Sequence, residues 1–124
     1  MANADEGART ARELALAARR RKGEDIVLLD LRGLSNFTDF FVLVSGNNTR
    51  HNKAVAEELE AQAKTLGLAK LGSEMSDDMS WILLDFCDVV IHVFLAETRT
   101  YYGLEFLWED APRIDLGVEE EVES

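Results

Sequence analysis

Trp81-Ile82-Leu83-Leu84-Asp85-Phe86-Cys87-Asp88-Val89-Val90-Ile91-His92-Val93-Phe94-Leu95 contains two apolar, β-rich runs separated by two residues. Runs of this length and composition read as strands, and so short a separation predicts a hairpin. Cys87-Asp88 is not the usual Asn-Gly turn pair, so the pairing is better specified than the turn type. Alternation puts Val90, His92 and Phe94 on one face and Val89, Ile91, Val93 and Leu95 on the other. A strand apolar on both faces belongs inside a sheet covered on both sides.

Working outward, residues 25–31 and 39–45 are nearly continuous apolar runs bounded by Gly and polar residues, and both read as buried strands. The turn-like residues 32–38 between them make the two strands neighbours. Gly46-Asn47-Asn48-Thr49 offers a turn and N-cap residues to a helix running to about Leu66, with Gly67 as its stop signal. Val55, Leu59, Ala63 and Leu66 fall on one face of that helix. Leu68 to Gly72 is a candidate short strand, and the polar, aperiodic residues 73–80 read as a loop. An Ala-, Leu- and Arg-rich helix is expected over residues 9–22, ended by Gly23, with its terminal cations favoured by the helix dipole. A last helix capped by Thr98 runs to about Trp108, short of Pro112. The order α-β-β-α-β-β-β-α predicts an α/β (α+β) fold, with a mixed sheet of about five strands flanked by helices.

The 124 residues carry 24 Asp and Glu against 13 Lys and Arg, a net charge of −11. One domain is expected at this length. Its boundaries are read as a flexible N-terminus at 1–8, the folded domain at 9–112, and a disordered acidic tail at 113–124. An acidic chain is poorly suited to phosphate-driven nucleic-acid binding and better suited to a basic partner. The single cysteine, Cys87, excludes an internal disulfide. No stretch approaches the ~18–20 apolar residues of a membrane span, and the N-terminus lacks the features of a signal or transit peptide. A cytoplasmic protein is expected.

The last helix is the most informative element for function. At about 100° per residue, Tyr101, Leu104, Leu107 and Trp108 share one arc, while Tyr102 and Phe106 form a second patch. One patch can pack inward, and the other calls for a partner. Trp81 and Phe86 stand five residues apart, so a regular strand points them to opposite faces and one core cannot take both. His92 reads as a hydrogen-bonded structural histidine, since His51, Cys87 and His92 lack zinc-like spacing. Cys87 has no recognised catalytic setting and lies near acids that oppose thiolate formation. Ser45-Gly46-Asn47-Asn48 is a plausible anion-binding turn but matches no phosphate loop, and helix capping explains it. No downstream Asp-x-Asp pair is available to hold magnesium for nucleotidyl transfer, and no cofactor or metal is expected.

Taken together, the stretches Thr38 to Asn47, Arg50-His51, Asp85 to Phe94 and Arg99 to Trp108 resemble the ribosomal silencing factor family, also called Iojap. The resemblance covers roughly residues 9–112. It rests on a Ser-Gly turn followed by Arg-His, an Asp-Val-Val-x-His-Val strand and a Tyr-x-Leu-Glu-x-Leu-Trp helix, in that order. It implies a nucleotidyltransferase-like fold without that superfamily's catalytic carboxylates, and so a binder rather than an enzyme. The implied partner is the large ribosomal subunit, bound through ribosomal protein fourteen on the face that would otherwise join the small subunit. Translation would thereby be repressed when nutrients are scarce. Trp81, Phe86 and Tyr102 match the family's contact positions. The chain departs from the family at Cys87, where Gly is usual, at Phe86, where an aliphatic residue or Tyr is usual, and in the loop 73–80, where a Glu-Gly pair is usual. Two competing readings are a nucleotide-binding or residual nucleotidyltransferase-like enzyme using the Ser45-Gly46 turn, and a homodimer burying the same aromatics.

Overall fold

The computed structural model describes residues 6–116. The remainder of the expected flexible N-terminus and acidic tail, residues 1–5 and 117–124, lies outside the described residues. The elements are α1 (Glu6–Arg20), β1 (Glu24–Asp30), β2 (Phe40–Gly46), α2 (Thr49–Thr65), β3 (Gly72–Met75), β4 (Trp81–Asp85), β5 (Val89–Leu95), α3 (Ala96–Tyr102) and α4 (Leu104–Leu107). The five strands form one mixed sheet in the order β1-β2-β5-β4-β3. β2 and β5 are parallel and the other three pairings are antiparallel.

Pleat alternation divides the apolar side chains between two layers. Phe40, Val42 and Val44 of β2, Ile82 and Leu84 of β4, and Val89, Ile91 and Val93 of β5 join the cores of α1 and α2. α1 contributes Ala8, Ala11, Ala15, Ala17 and Ala18 beside Leu14, a small-residue face that brings its backbone close to the sheet. On the other face Leu29, Leu31, Leu43, Phe94 and Ala111 form a second core with Phe41, Trp81, Leu104 and Trp108 packed against it. Each large side chain fully buried in these layers stabilises the fold by roughly 1.5–3 kcal/mol.

Several expected boundaries change. α1 begins at Glu6 and buries Ala8, both within the stretch read as flexible. Its left-handed terminal residue is Lys22 (φ 66°) rather than Gly23. Gly23 is needed for contact instead, because a Cβ there would stand 2.5 Å from Val44 Cγ1. The strand sought at 68–72 lies at 72–75, inside the expected loop. Its residues are mostly exposed, so no burial pattern marks it in the sequence. Leu66 is the C-cap of α2 and 36% exposed, not part of its packing face. The last helix starts at Ala96, with Leu95 and not Thr98 at the N-cap, and breaks at Gly103, which is left-handed (φ 60°). Beyond Ala111 the chain runs along β1: Pro112 O accepts from Asp30 N–H at 2.9 Å, and Ile114 N–H donates to Leu28 O at 2.8 Å.

The hairpin at Cys87-Asp88 has the expected two-residue loop. Phe86 N–H donates to Val89 O (2.9 Å) and Asp88 N–H to Phe86 O (3.0 Å), with Cys87 held at φ 78°. That conformation is costly for a residue with a Cβ, by about 1–3 kcal/mol. Asp85 offsets part of it by accepting from Cys87 N–H at 2.8 Å. Cys87→Gly is expected to raise stability by about 1 kcal/mol, read as a higher urea midpoint at unchanged slope.

Candidate partner-binding surface

Trp81 opens β4 opposite Phe94 of β5 and rests on the face away from α1 and α2. Its ring centroid lies 4.5 Å from Tyr102, 5.7 Å from Phe94 and 5.8 Å from His92. Its indole Nε1–H donates to His92 Nδ1 at 3.1 Å. Phe41 meets His92 at 4.8 Å and Trp108 at 6.0 Å, both edge-on. The result is a buried floor of Phe94 and His92, flanked by a partly buried Phe41, beneath a half-buried Trp81. Tyr102 (52% exposed) stands on Trp81 and meets Tyr101 (81%) edge-on at 4.9 Å, and the following α4 leaves Phe106 (76%) and Leu107 (66%) exposed. An apolar rim of this size over a rigid floor has the form of a protein-binding anchor.

The rim is set in place by one buried cation. Arg99, 8% exposed, donates from Nη1 to Ser45 Oγ at 2.8 Å and, through Nε and Nη2, to both carboxylate oxygens of Glu105 at 3.0 and 3.1 Å. Gly103 turns the chain so that Glu105, six residues on, can return to Arg99. This fork ties the α3–α4 corner to the end of β2. Hydrogen bonding from Arg99 holds the Glu105 carboxyl below its ordinary range, with a smaller contribution from Arg113. The break also corrects the expected patches. Leu104 and Trp108 pack inward, while Tyr101 and Leu107, predicted to share their face, are exposed.

The three residues singled out from the sequence do not meet. Trp81 and Tyr102 are in contact, whereas Phe86 is 5% exposed in the α1/α2 core on the opposite face of the sheet. The five-residue spacing predicted this division. Phe86 is therefore placed as a core side chain behind the hairpin. His92 is the structural histidine expected: it accepts from Trp81, and burial pushes its pKa down to about 4. With Nδ1 accepting, the ring proton sits on Nε2, which has no partner among the described residues. Sequence reading missed the Trp81–His92 bond and the Arg99 fork, since neither follows strand or helix spacing.

The Ser45-Gly46-Asn47 turn is occupied by its own contacts. Asn48 Oδ1 accepts from His51 N–H at 2.8 Å, and His51 Nδ1 accepts from Asn47 N–H at 2.9 Å. His51 Nε2 lies 2.8 Å from Arg21 O and latches the end of α1 to this turn. The adjoining cleft is lined by Glu24, Asp25 and Glu97, which oppose a phosphate. Among the described residues no group of three or more His, Cys, Asp or Glu is placed to hold a metal.

Two stability outcomes test these placements. Phe86→Ala should cost about 3–5 kcal/mol, as a core truncation, while Tyr102→Ala should stay within about 1 kcal/mol in the same urea titration. Because burial depresses the His92 pKa, the unfolded chain takes up this proton first as pH falls. The stability that neutral His92 contributes is present above pH 6.5 and declines as pH drops toward about 4. His92→Gln should flatten that window, and an unchanged pH profile would reject it.

A family model described as "Ribosomal silencing factor during starvation" matches residues 4–124. Ribosomal silencing factor RsfS of Bacillus subtilis is 41% identical over 102 residues, spanning 82% of this chain and 86% of that protein. The chloroplastic protein Iojap of Zea mays is 35% identical over 106 residues, spanning 83% of this chain and 45% of that protein. Among solved structures, a crystal structure of a Chromobacterium violaceum protein superposes with a TM-score of 0.79 at 30% identity, covering 93% of this chain and 95% of that one. One from Bacillus halodurans gives 0.71 at 37% identity, covering 82% and 93%.

Proposed function

The chain belongs to the ribosomal silencing factor family, and from that premise we propose that it represses translation by docking on the large ribosomal subunit through ribosomal protein fourteen. The bound domain then occupies the surface on which the small subunit would join, and subunit joining is blocked sterically under nutrient limitation. The observation that carries this reading is the exposed aromatic rim around Tyr102, held against Trp81 on a rigid floor. Trp81 and Tyr102 make the contact. Phe86 serves it from behind, by packing the β4–β5 hairpin onto the helices.

Chemistry and charge favour this partner. An acidic chain is steered toward a basic ribosomal protein and repelled by the surrounding RNA, so approach is selective. Steric exclusion needs no turnover and no cofactor, in keeping with a cleft whose acids oppose a nucleotide phosphate. A homodimer burying the same rim would set two chains of net charge −11 against each other. Among the described residues no helix is long and apolar enough to cross a membrane, and we place the protein's action at cytoplasmic ribosomes.

The test is sedimentation with separated ribosomal subunits through a sucrose gradient, followed by addition of the small subunit. The wild-type protein is expected to travel with the large subunit and reduce the joined fraction. Truncating a buried anchor at an interface typically costs 2 kcal/mol or more, so Trp81→Ala and Tyr102→Ala should each weaken binding about 30-fold. If both folded variants co-sediment as the wild type does, this patch is not the contact.

A further inference from the structure

The two edges of the sheet are finished differently. The outer edge of β1 is capped by the chain's own residues 112–114, through the Asp30–Pro112 and Ile114–Leu28 hydrogen bonds and the bridge of Leu29 with Arg113. The outer edge of β3 is met by no described residue. Ser76 N–H donates to Trp81 O at 2.9 Å, and Glu74 pairs with Leu83 and Gly72 with Asp85 in the same register. In an antiparallel ladder hydrogen-bonded pairs recur every second residue. The backbone groups of Glu74 and Ser76 therefore turn toward β4 and those of Ser73 and Met75 turn outward, while at the start of the strand the ladder is irregular, with Leu71 N–H donating to Asp85 O at 2.8 Å. Beside this edge, on the face that carries the aromatics, lies an open groove of about 320 Å³ lined by Glu74, Met75, Ser76, Trp81 and Leu83.

We propose that β3 is a docking edge that receives an extended, basic segment of the partner as a sixth strand, its apolar side chain seated in the Trp81–Leu83 groove. The inference rests on the ribosomal reading above and states how the partner is held. Main-chain hydrogen bonds supply affinity in this mode, and the pocket for alternate side chains supplies specificity.

Charge identifies the occupant. Edge strands are commonly protected from unwanted pairing by lysine. From Leu71 to Ser80 this chain has no basic residue, only Glu74, Asp77 and Asp78. Hydrogen bonds from Ser80 and Ser76 hold the Asp78 carboxyl below its ordinary range, so the loop beside the edge stays anionic. A second copy is the wrong occupant. Antiparallel self-pairing through the outward groups of Ser73 and Met75 would set Glu74 directly opposite Glu74, and like charges so placed are destabilising. A Lys- or Arg-bearing segment meets Glu74 favourably in the same position.

The experiment reads amide hydrogen exchange in the full-length protein, alone and bound to purified large ribosomal subunits, together with the affinity of two variants. Proline is tolerated on an edge strand where its missing N–H would face outward, so Ser73→Pro removes one docking donor and spares the β3–β4 ladder. Expected are at least tenfold slower exchange at Ser73 and Met75 in the complex, and at least tenfold weaker binding by Ser73→Pro. Ser73→Ala, which keeps the N–H, should bind as the wild type does. If Ser73→Pro proves unfolded, the exchange result on the wild-type chain decides alone. Unchanged exchange at both amides while Trp81→Ala abolishes binding would overturn the docking edge and leave the ribosomal reading standing. Failure of the wild-type chain to bind the subunit would overturn both.

Discussion

The parallel pairing of β2 with β5 is the constraint on which the other elements depend. Parallel neighbours cannot be joined by a tight turn, so the chain must leave β2, cross one face as α2, and return through β3 and β4 before β5 can lie alongside. The register puts Gly46 beside Leu95, so both strands finish at the same end. From that end α2 departs over one face and α3 over the other. Both central strands are consequently covered on two sides, which is why their sequences are almost continuously apolar. Gly46 admits this arrangement, because a Cβ there would fall on Asn52 Oδ1 at the root of α2. Asn52 in turn donates to Met79 O at 2.9 Å and ties the loop before β4 to the same helix.

What could be read from the sequence follows burial. β1, β2, β4 and β5 each place apolar residues in at least one core, and their spans were legible to within a residue or so. β3 was misplaced because it is an edge strand with little buried on either side, and a strand without burial carries no period-two signal. The last helix was legible as an element but not as two. Gly103 is compatible with a helix interior on pattern alone, and its left-handed turn is secured by the fork from Arg99 to Glu105, a contact no helical spacing foretells. The same limit applies at Lys22, where the left-handed turn fell one residue before the glycine expected to make it, while Gly23 was reserved for its approach to Val44.

The candidate surface was partly legible for the same reason. Pleat parity alone separated Trp81 from Phe86, and the structure puts them on opposite faces as that parity requires. Parity could not say which of the two is left accessible. That depended on what covers each face: two long helices over Phe86, and only the short α3–α4 corner over Trp81. A continuous wheel through Gly103 grouped Tyr101 and Leu107 with Leu104 and Trp108, and the break at that glycine separates the exposed pair from the packed one.

The proposed steric mechanism asks for a fixed shape more than a reactive one. The Trp81 rim stands on Phe94 and His92, which are essentially inaccessible, and the corner above it is held by a bidentate Arg99–Glu105 pair anchored through Ser45 to the central strand. Side chains locked this way lose little conformational entropy on docking, so more of the contact energy is left as affinity. Burying a neutral histidine beneath that rim has a consequence for stability in acid. Its compensating gain is a rigid acceptor for the indole N–H, which fixes the orientation of the residue at the junction of rim, floor and groove. The cleft at the parallel strand ends is the usual place for a ligand in open α/β sheets. Here the turn at that end is capped by its own side chains and the adjoining cleft is lined by Glu24, Asp25 and Glu97, while four exposed large apolar side chains, Tyr101, Tyr102, Phe106 and Leu107, stand on the α3–α4 corner.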